Sequence, residues 1–220
     1  MLYHILVFLS DICCLLPASV ARFIGKILGK LTWIVVKVST DKAEQIAKKS
    51  WTRFGPMIME VLRFKVICKN IDKYVTIKGE ENIKKAMFYG NGGVIATAHS
   101  GNWEIIGAAL THKGMKIAGV AQHQRNEGVN NFINYCRAFT GMHITDKLDI
   151  KEMMKMLGQK YFIGLIMDQD GGSTGIIMPF LGYEASCVQG PAVMSRFKSA
   201  PILPAFITED KKRPGHHILT

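Results

Sequence analysis

Paired cysteines are missing from this chain. The five it has (Cys13, Cys14, Cys68, Cys136 and Cys187) are odd in number, include no Cys-x-x-Cys, and show no zinc-like spacing. That excludes a disulfide framework and a structural zinc site and leaves free thiols in a reducing compartment. Acidic residues are scarce, 17 against 28 Lys and Arg, so the chain carries a net charge of +11. An excess of this size implies an anionic partner. Aromatics make up only 9% of the residues, and few stand among the basic ones. Binding to nucleic acid by base stacking is therefore disfavoured, and no nucleic acid partner is expected. A clean membrane span is missing too. The apolar stretch from Met1 to Pro17 is broken by Asp11, and an Asp at mid-membrane costs about 2.5–3.5 kcal/mol. No Lys or Arg precedes that stretch, which disfavours a secretory signal. Internal repeats and low-complexity segments are not seen.

What is present points to a folded chain at a membrane surface. An apolar fraction of 48% over 220 residues suits one α/β core with a sizeable interior, preceded by a membrane-facing arm. Fifteen basic and six acidic residues lie between Arg22 and Lys85, interleaved with aliphatics such as Ile34, Val35 and Val36. Basic charge mixed with large aliphatics suits an anionic membrane surface. From Ala21 to Lys37 the pattern is helical: Arg22, Lys26 and Lys30 recur every four residues, and Phe23, Ile24, Ile27, Leu28 and Leu31 form the opposite face. The expected picture is interfacial anchoring through helices in residues 1–70, with a single N-terminal span as the alternative.

From residue 71 onward, strands and helices alternate. Strands are expected at Tyr74–Lys78, Val94–Ala98, Lys116–Ala121, Tyr161–Met167, Ile176–Phe180 and Ile202–Ile207, with a β-like stretch at His216–Thr220. Helices are expected at Glu80–Tyr89, Asn102–His112, Asn126–Thr140, Asp149–Lys160 and Val188–Phe197. Such alternation implies an α/β fold with a mainly parallel sheet flanked by helices. Ligands of these sheets gather beyond the C-terminal ends of the strands, where His99 and Asp168 both fall.

The strongest local signal is His99-Ser100-Gly101-Asn102-Trp103-Glu104. His99 leaves a strand, Gly101 permits a sharp turn, and Asn102 is a good helix cap. Glu104 then falls in the first helical turn, where its carboxylate can reach back to the imidazole. A carboxylate on one ring nitrogen fixes the tautomer and leaves the other as a general base. On these residues alone, a structural histidine beside a capping acid stays open. Zinc-helix spacing is lacking, and neither metal nor cofactor is expected.

The block from Gly93 to Glu104, GVIATAHSGNWE, closely resembles the lipid A biosynthesis acyltransferase family, itself similar in its His-four-residues-acid motif to the glycerolipid acyltransferases. Further landmarks match in order: Arg125, Arg137 with Gly141, Asp168-Gln169, Phe180-Leu181-Gly182, Gly190-Pro191-Ala192, and Ala200 before Pro204. The resemblance runs from about Leu15 to the end, although an Arg-rich stretch with Asn-Leu and Phe-Pro-Glu is missing from residues 38–51, and a longer C-terminus is expected. It implies transfer of a fatty acyl group from an acyl-carrier-protein or CoA thioester to a hydroxyl of a lipid A precursor or related glycolipid, at the cytoplasmic face of the inner membrane. His99 would be the base and Glu104 its orienting partner. Asn102, Arg125, Arg137, Asp168 and Gln169 would contact substrate, the arginines through phosphates. Arg125 and backbone N–H groups near Asn102 are candidates for the oxyanion. A lysophospholipid, mannoside or ornithine-lipid acyltransferase is the alternative, as is a non-catalytic membrane-binding homologue. A serine hydrolase would need a Gly-x-Ser-x-Gly elbow, and Ser100 is not in one.

Overall fold

The computed structural model describes residues 1–35 and 41–220. Val36 and Lys37, at the expected end of the basic helix, lie outside the described residues. The chain divides into two compact units: residues 1–70, 124–139 and 211–215 form the first, and residues 71–123, 140–210 and 216–220 the second.

The first unit is helical. It contains α1 (Leu2–Leu15), α2 (Ala18–Val35), α3 (Asp41–Leu62), α4 (Phe64–Lys69) and, from later in the chain, α8 (Glu127–Ala138). Its α2–α3 contact rests on glycine. A Cβ on Gly25 would stand 2.7 Å from the Gly55 carbonyl oxygen, one on Gly29 2.4 Å from that of Trp51, and one on Gly55 1.9 Å from that of Gly25. The two backbones touch, as in close small-residue helix crossings. Pro56 sits inside α3 next to this contact. The packed stripe of α2 is thus Ala21, Gly25 and Gly29, while Phe23, Ile27, Leu28 and Leu31 face outward. Arg22 does not share the exposed position of Lys26 and Lys30. It turns inward and pairs with Glu60 of α3 at 3.3 Å, both side chains nearly buried. On α1, Ile5, Phe8, Ile12 and Leu15 are exposed at helical spacing. Gly55→Ala is expected to lower the unfolding free energy of the chain by about 1–3 kcal/mol, because backbone must move to admit one methyl group. A thermal melt beside the parent protein measures this.

The second unit is built on a five-stranded sheet. Its strands are β2 (Gly93–Thr97), β3 (Ile117–Ala121), β4 (His143–Asp146), β5 (Phe162–Ile166) and β8 (Ile202–Pro204), in the order β4-β3-β5-β2-β8 with every pair parallel. Helices α6 (Glu80–Phe88), α7 (Glu104–His112), α9 (Ile150–Gly158) and α10 (Gly190–Lys198) accompany it. Val94, Ala118 and Ile163 of the sheet pack with Met153, Met156 and Leu157 of α9 and Met194 of α10. The methionine-rich helix is therefore core. Helix α7 is buried along Ile105–Leu110. A short helix, α5 (Ile71–Tyr74), leads into β1 (Val75–Ile77), which pairs with β10 (His217–Leu219) and through it with β9 (Ile207–Glu209). The remaining strands, β6 (Ile176–Phe180) and β7 (Tyr183–Cys187), pair only with each other among the described residues.

Sequence patterning missed β4 and β7, both short and poor in aliphatics. It also read β8 and β9 as one strand, where the chain breaks at Ala205-Phe206 to serve two sheets. Among the described residues, no helix is long and apolar enough to cross a membrane.

Candidate active site

Strand β2 ends at Thr97 and α7 begins at Glu104, so His99 lies on a six-residue crossing at the C-terminal edge of the parallel sheet. Two contacts with the segment after β8 hold that crossing. The Ser100 hydroxyl donates to the carbonyl of Ile207 at 3.0 Å. Gly101 has φ +57°, and a Cβ there would stand 2.5 Å from the same carbonyl oxygen, so a side chain is excluded by both conformation and space. Asn102 is buried, and its carbonyl accepts from the N–H of Ile105, starting α7. The residue preceding the helix is Trp103 rather than Asn102, and it supplies no side-chain cap.

The imidazole of His99 is gripped by Asp168. Nδ1 stands 2.8 Å from Oδ1, and the His99 backbone N–H donates to Oδ2 at 2.9 Å, so one carboxylate fixes both ring and main chain. Partial burial pushes the Asp168 carboxyl up, but the hydrogen bonds from the His99 ring and backbone outweigh this and hold it below its ordinary value. An ionised acceptor at Nδ1 makes Nδ1–H the donor and leaves Nε2 with its lone pair. Nε2 has no hydrogen-bond partner among the described residues. The His99 ring packs edge-on against Trp103, with centroids 4.7 Å apart. About a third of the His99 side chain stays open to solvent.

This corrects the sequence reading in one respect. The carboxylate that holds His99 is Asp168, not Glu104, and both of its oxygens meet the histidine. The cause is strand register: β2 and β5 are parallel with Thr97 opposite Ile166, so the residues two positions beyond each strand end meet. Glu104 opens α7, where the helix dipole favours a carboxylate. Gln169 is exposed beside Asp168. Arg125 is exposed just ahead of α8, and Arg137 lies in the last turn of α8. Both belong to the helical unit, whereas His99, Asn102, Glu104, Asp168 and Gln169 belong to the sheet unit. Among the described residues, no group of three His, Cys, Asp or Glu is placed to hold a metal ion.

A carboxylate-oriented histidine with a free Nε2 at the open edge of a parallel sheet defines a site that can remove a proton from a bound hydroxyl. The sequence model of the bacterial lipid A biosynthesis acyltransferase family matches residues 1–218. The chain belongs to that family. It is also similar to a phosphatidylinositol mannoside acyltransferase of Mycobacterium tuberculosis (strain CDC 1551 / Oshkosh), with 24% identity over 196 residues, 86% of this chain and 60% of the relative. A protein of the same name from a second strain of that organism is 25% identical over 162 residues, 69% of this chain and 50% of the relative. The chain thus spans 60% or less of the length of these curated relatives.

Proposed function

We propose that this protein transfers a fatty acyl group from a thioester donor to a hydroxyl of a glycolipid, with His99 as general base. The observation that carries the reading is the Asp168 carboxylate on Nδ1, which leaves Nε2 as the acceptor of a proton. His99 takes the proton of the acceptor hydroxyl as its oxygen attacks the thioester carbonyl. The tetrahedral intermediate collapses, the C–S bond breaks, and the departing thiolate takes the proton back from the imidazolium. An ester and a free thiol are formed, with no acyl-enzyme. Asp168 positions the ring and stabilises its charged form. Arg125 and Arg137 are proposed contacts for phosphates of the lipid or donor, and Gln169 for the acceptor's polar headgroup.

The acceptor is proposed to be a lipid A precursor or a related glycolipid. A mannoside-bearing lipid is the second reading, favoured by the names of the relatives. Membrane and donor preferences follow from charge. The helical unit has sixteen Lys and Arg against five Asp and Glu, whereas the sheet unit has twelve of each. All of the positive excess therefore sits on the unit whose α1 and α2 expose apolar faces. Cations beside exposed aliphatics suit an anionic bilayer surface, and the same cations suit an acidic carrier protein as donor. The proposed location is the cytoplasmic face of the inner membrane, peripheral or monotopic.

The test is transfer of a radiolabelled acyl group, offered on carrier protein and on CoA in parallel, to mixed glycolipid acceptors, with mass spectrometry of the product. A labelled glycolipid ester supports the reading. Release of free fatty acid alone would make the protein a hydrolase.

A further inference from the structure

The β6–β7 ribbon is not used by the mechanism above, and its composition is unusual for a surface element. It is a two-stranded sheet paired with no other strand among the described residues. Ribbons of this size are marginal without a hydrophobic face packed on something, yet every residue of β6 is exposed. The register sorts its side chains. Phe180 pairs with Tyr183, Met178 with Ala185 and Ile176 with Cys187, so these six share one face. That face is apolar from end to end, while Glu184 and Ser186 lie on the other with Ile177 and Pro179. At the tip, Leu181 is 83% exposed and Tyr183 81%, and the turn is set by positive φ at Leu181 and Gly182. From Gly171 to Cys187 there is no cation, and Glu184 is the only charge.

We infer that the apolar face and tip of this ribbon dock into a lipid bilayer beside the catalytic edge. The ribbon springs from the Gln169–Gly175 loop directly after Asp168, so it stands at the edge where a lipid acceptor must arrive. This inference rests on the proposed lipid acceptor. Three physical arguments select the bilayer. An acidic carrier protein would be met by cations, and the ribbon has none. A second copy of the chain would bury on the order of 200 Å² a side on a ribbon five residues long, far below the roughly 800 Å² per partner of a stable interface. A bilayer sets no such minimum, and Phe, Leu and Tyr at a tip are suited to the headgroup boundary, where Tyr keeps its hydroxyl in water. On the outer edge of β7 the Ser186 carbonyl accepts from the Gly171 N–H at 2.8 Å; edge groups of the ribbon that meet no such partner need hydration, which keeps it shallow.

The experiment places a reporter at the tip. Tyr183→Trp is mixed with vesicles of phosphatidylethanolamine and phosphatidylglycerol, with and without bromine on the acyl chains near the headgroup, and its emission is taken as the difference from the parent protein. Emission is expected to shift to the blue on vesicle addition and to be quenched severalfold more by brominated lipid. Phe180→Ser with Leu181→Ser is expected to weaken vesicle partition about tenfold or more, and to slow transfer to an acceptor held in vesicles while sparing transfer to the same acceptor in detergent. Three results would overturn the inference: unquenched emission from vesicle-bound protein, no vesicle binding at all, or a reporter already shielded in the vesicle-free protein. Loss of transfer in detergent by the parent protein would count against the proposed activity, not against the docking of the ribbon.

Discussion

His99→Ala is expected to lower the acyl-transfer rate by about 10³–10⁴-fold, the upper part of the range for a positioned general base. The alcohol must lose its proton as it attacks, and Nε2 is the group that the site leaves free to take it. Substrate binding does not require the imidazole, so the loss should fall on kcat with KM little changed. Steady-state kinetics with radiolabelled donor separate the two parameters. Retention of kcat within about tenfold would remove His99 from the mechanism. The ring is partly exposed and its neighbours are loop residues, so the variant should melt close to the parent temperature.

Asp168→Asn is expected to cost about 10²–10⁴-fold, the scale seen when an orienting carboxylate is replaced by an amide. The amide can offer its NH₂ to Nδ1 and so select the tautomer with the proton on Nε2, where it cannot act as base. A readout separates this from a merely structural role. The ¹⁵N resonances of His99 should report protonation at Nδ1 in the parent protein and in Glu104→Gln, and a different tautomer in Asp168→Asn. A tautomer lost in Glu104→Gln and kept in Asp168→Asn would return the orienting role to Glu104. Acid stability gives a second check. The folded-state carboxyl of Asp168 lies below its ordinary value, against an unfolded reference near 3.9. The stabilisation it supplies is therefore present above that reference and disappears as pH falls through the lower folded value. The melting temperatures of parent and Asp168→Asn should differ at neutral pH and converge in strong acid.

The place of His99 at a strand end was legible in the sequence, but the carboxylate that meets its ring was not. His99 follows a five-residue apolar run and precedes Gly101 and a helix, a local arrangement that patterning can place at a strand end. The eye then goes to the nearest carboxylate, Glu104. Asp168 lies 69 residues away, and nothing local links the two. A clue was nonetheless available, since both residues stand just past buried strands, and adjacent parallel strands in matching register bring such positions together. The order β4-β3-β5-β2-β8 makes β2 and β5 neighbours, which a pattern of alternating strands and helices does not specify.

The basic helix α2 shows the same division. Its periodicity set a helix with Arg22, Lys26 and Lys30 on one stripe; Lys26 and Lys30 are exposed as expected, while Arg22 turns inward to Glu60. Periodicity also set the large aliphatics on one apolar face, expected at a membrane surface, but it did not show that the packed side is Ala21, Gly25 and Gly29 against Gly55. Hydrophobic patterning assumes that the greasiest stripe finds the core, which fails where backbones approach so closely that only glycine fits.

By itself, then, the sequence determined the alternation of strands and helices, the excess of positive charge, and the histidine at a strand end, because each follows from local periodicity or from counting. Only the tertiary structure decided which carboxylate holds that histidine, which face of α2 is packed, and that β6 and β7 stand apart from the main sheet with an apolar face uncovered. Those facts depend on which segments, distant along the chain, come to lie side by side, and pairing at long range is set by the packing of the whole core.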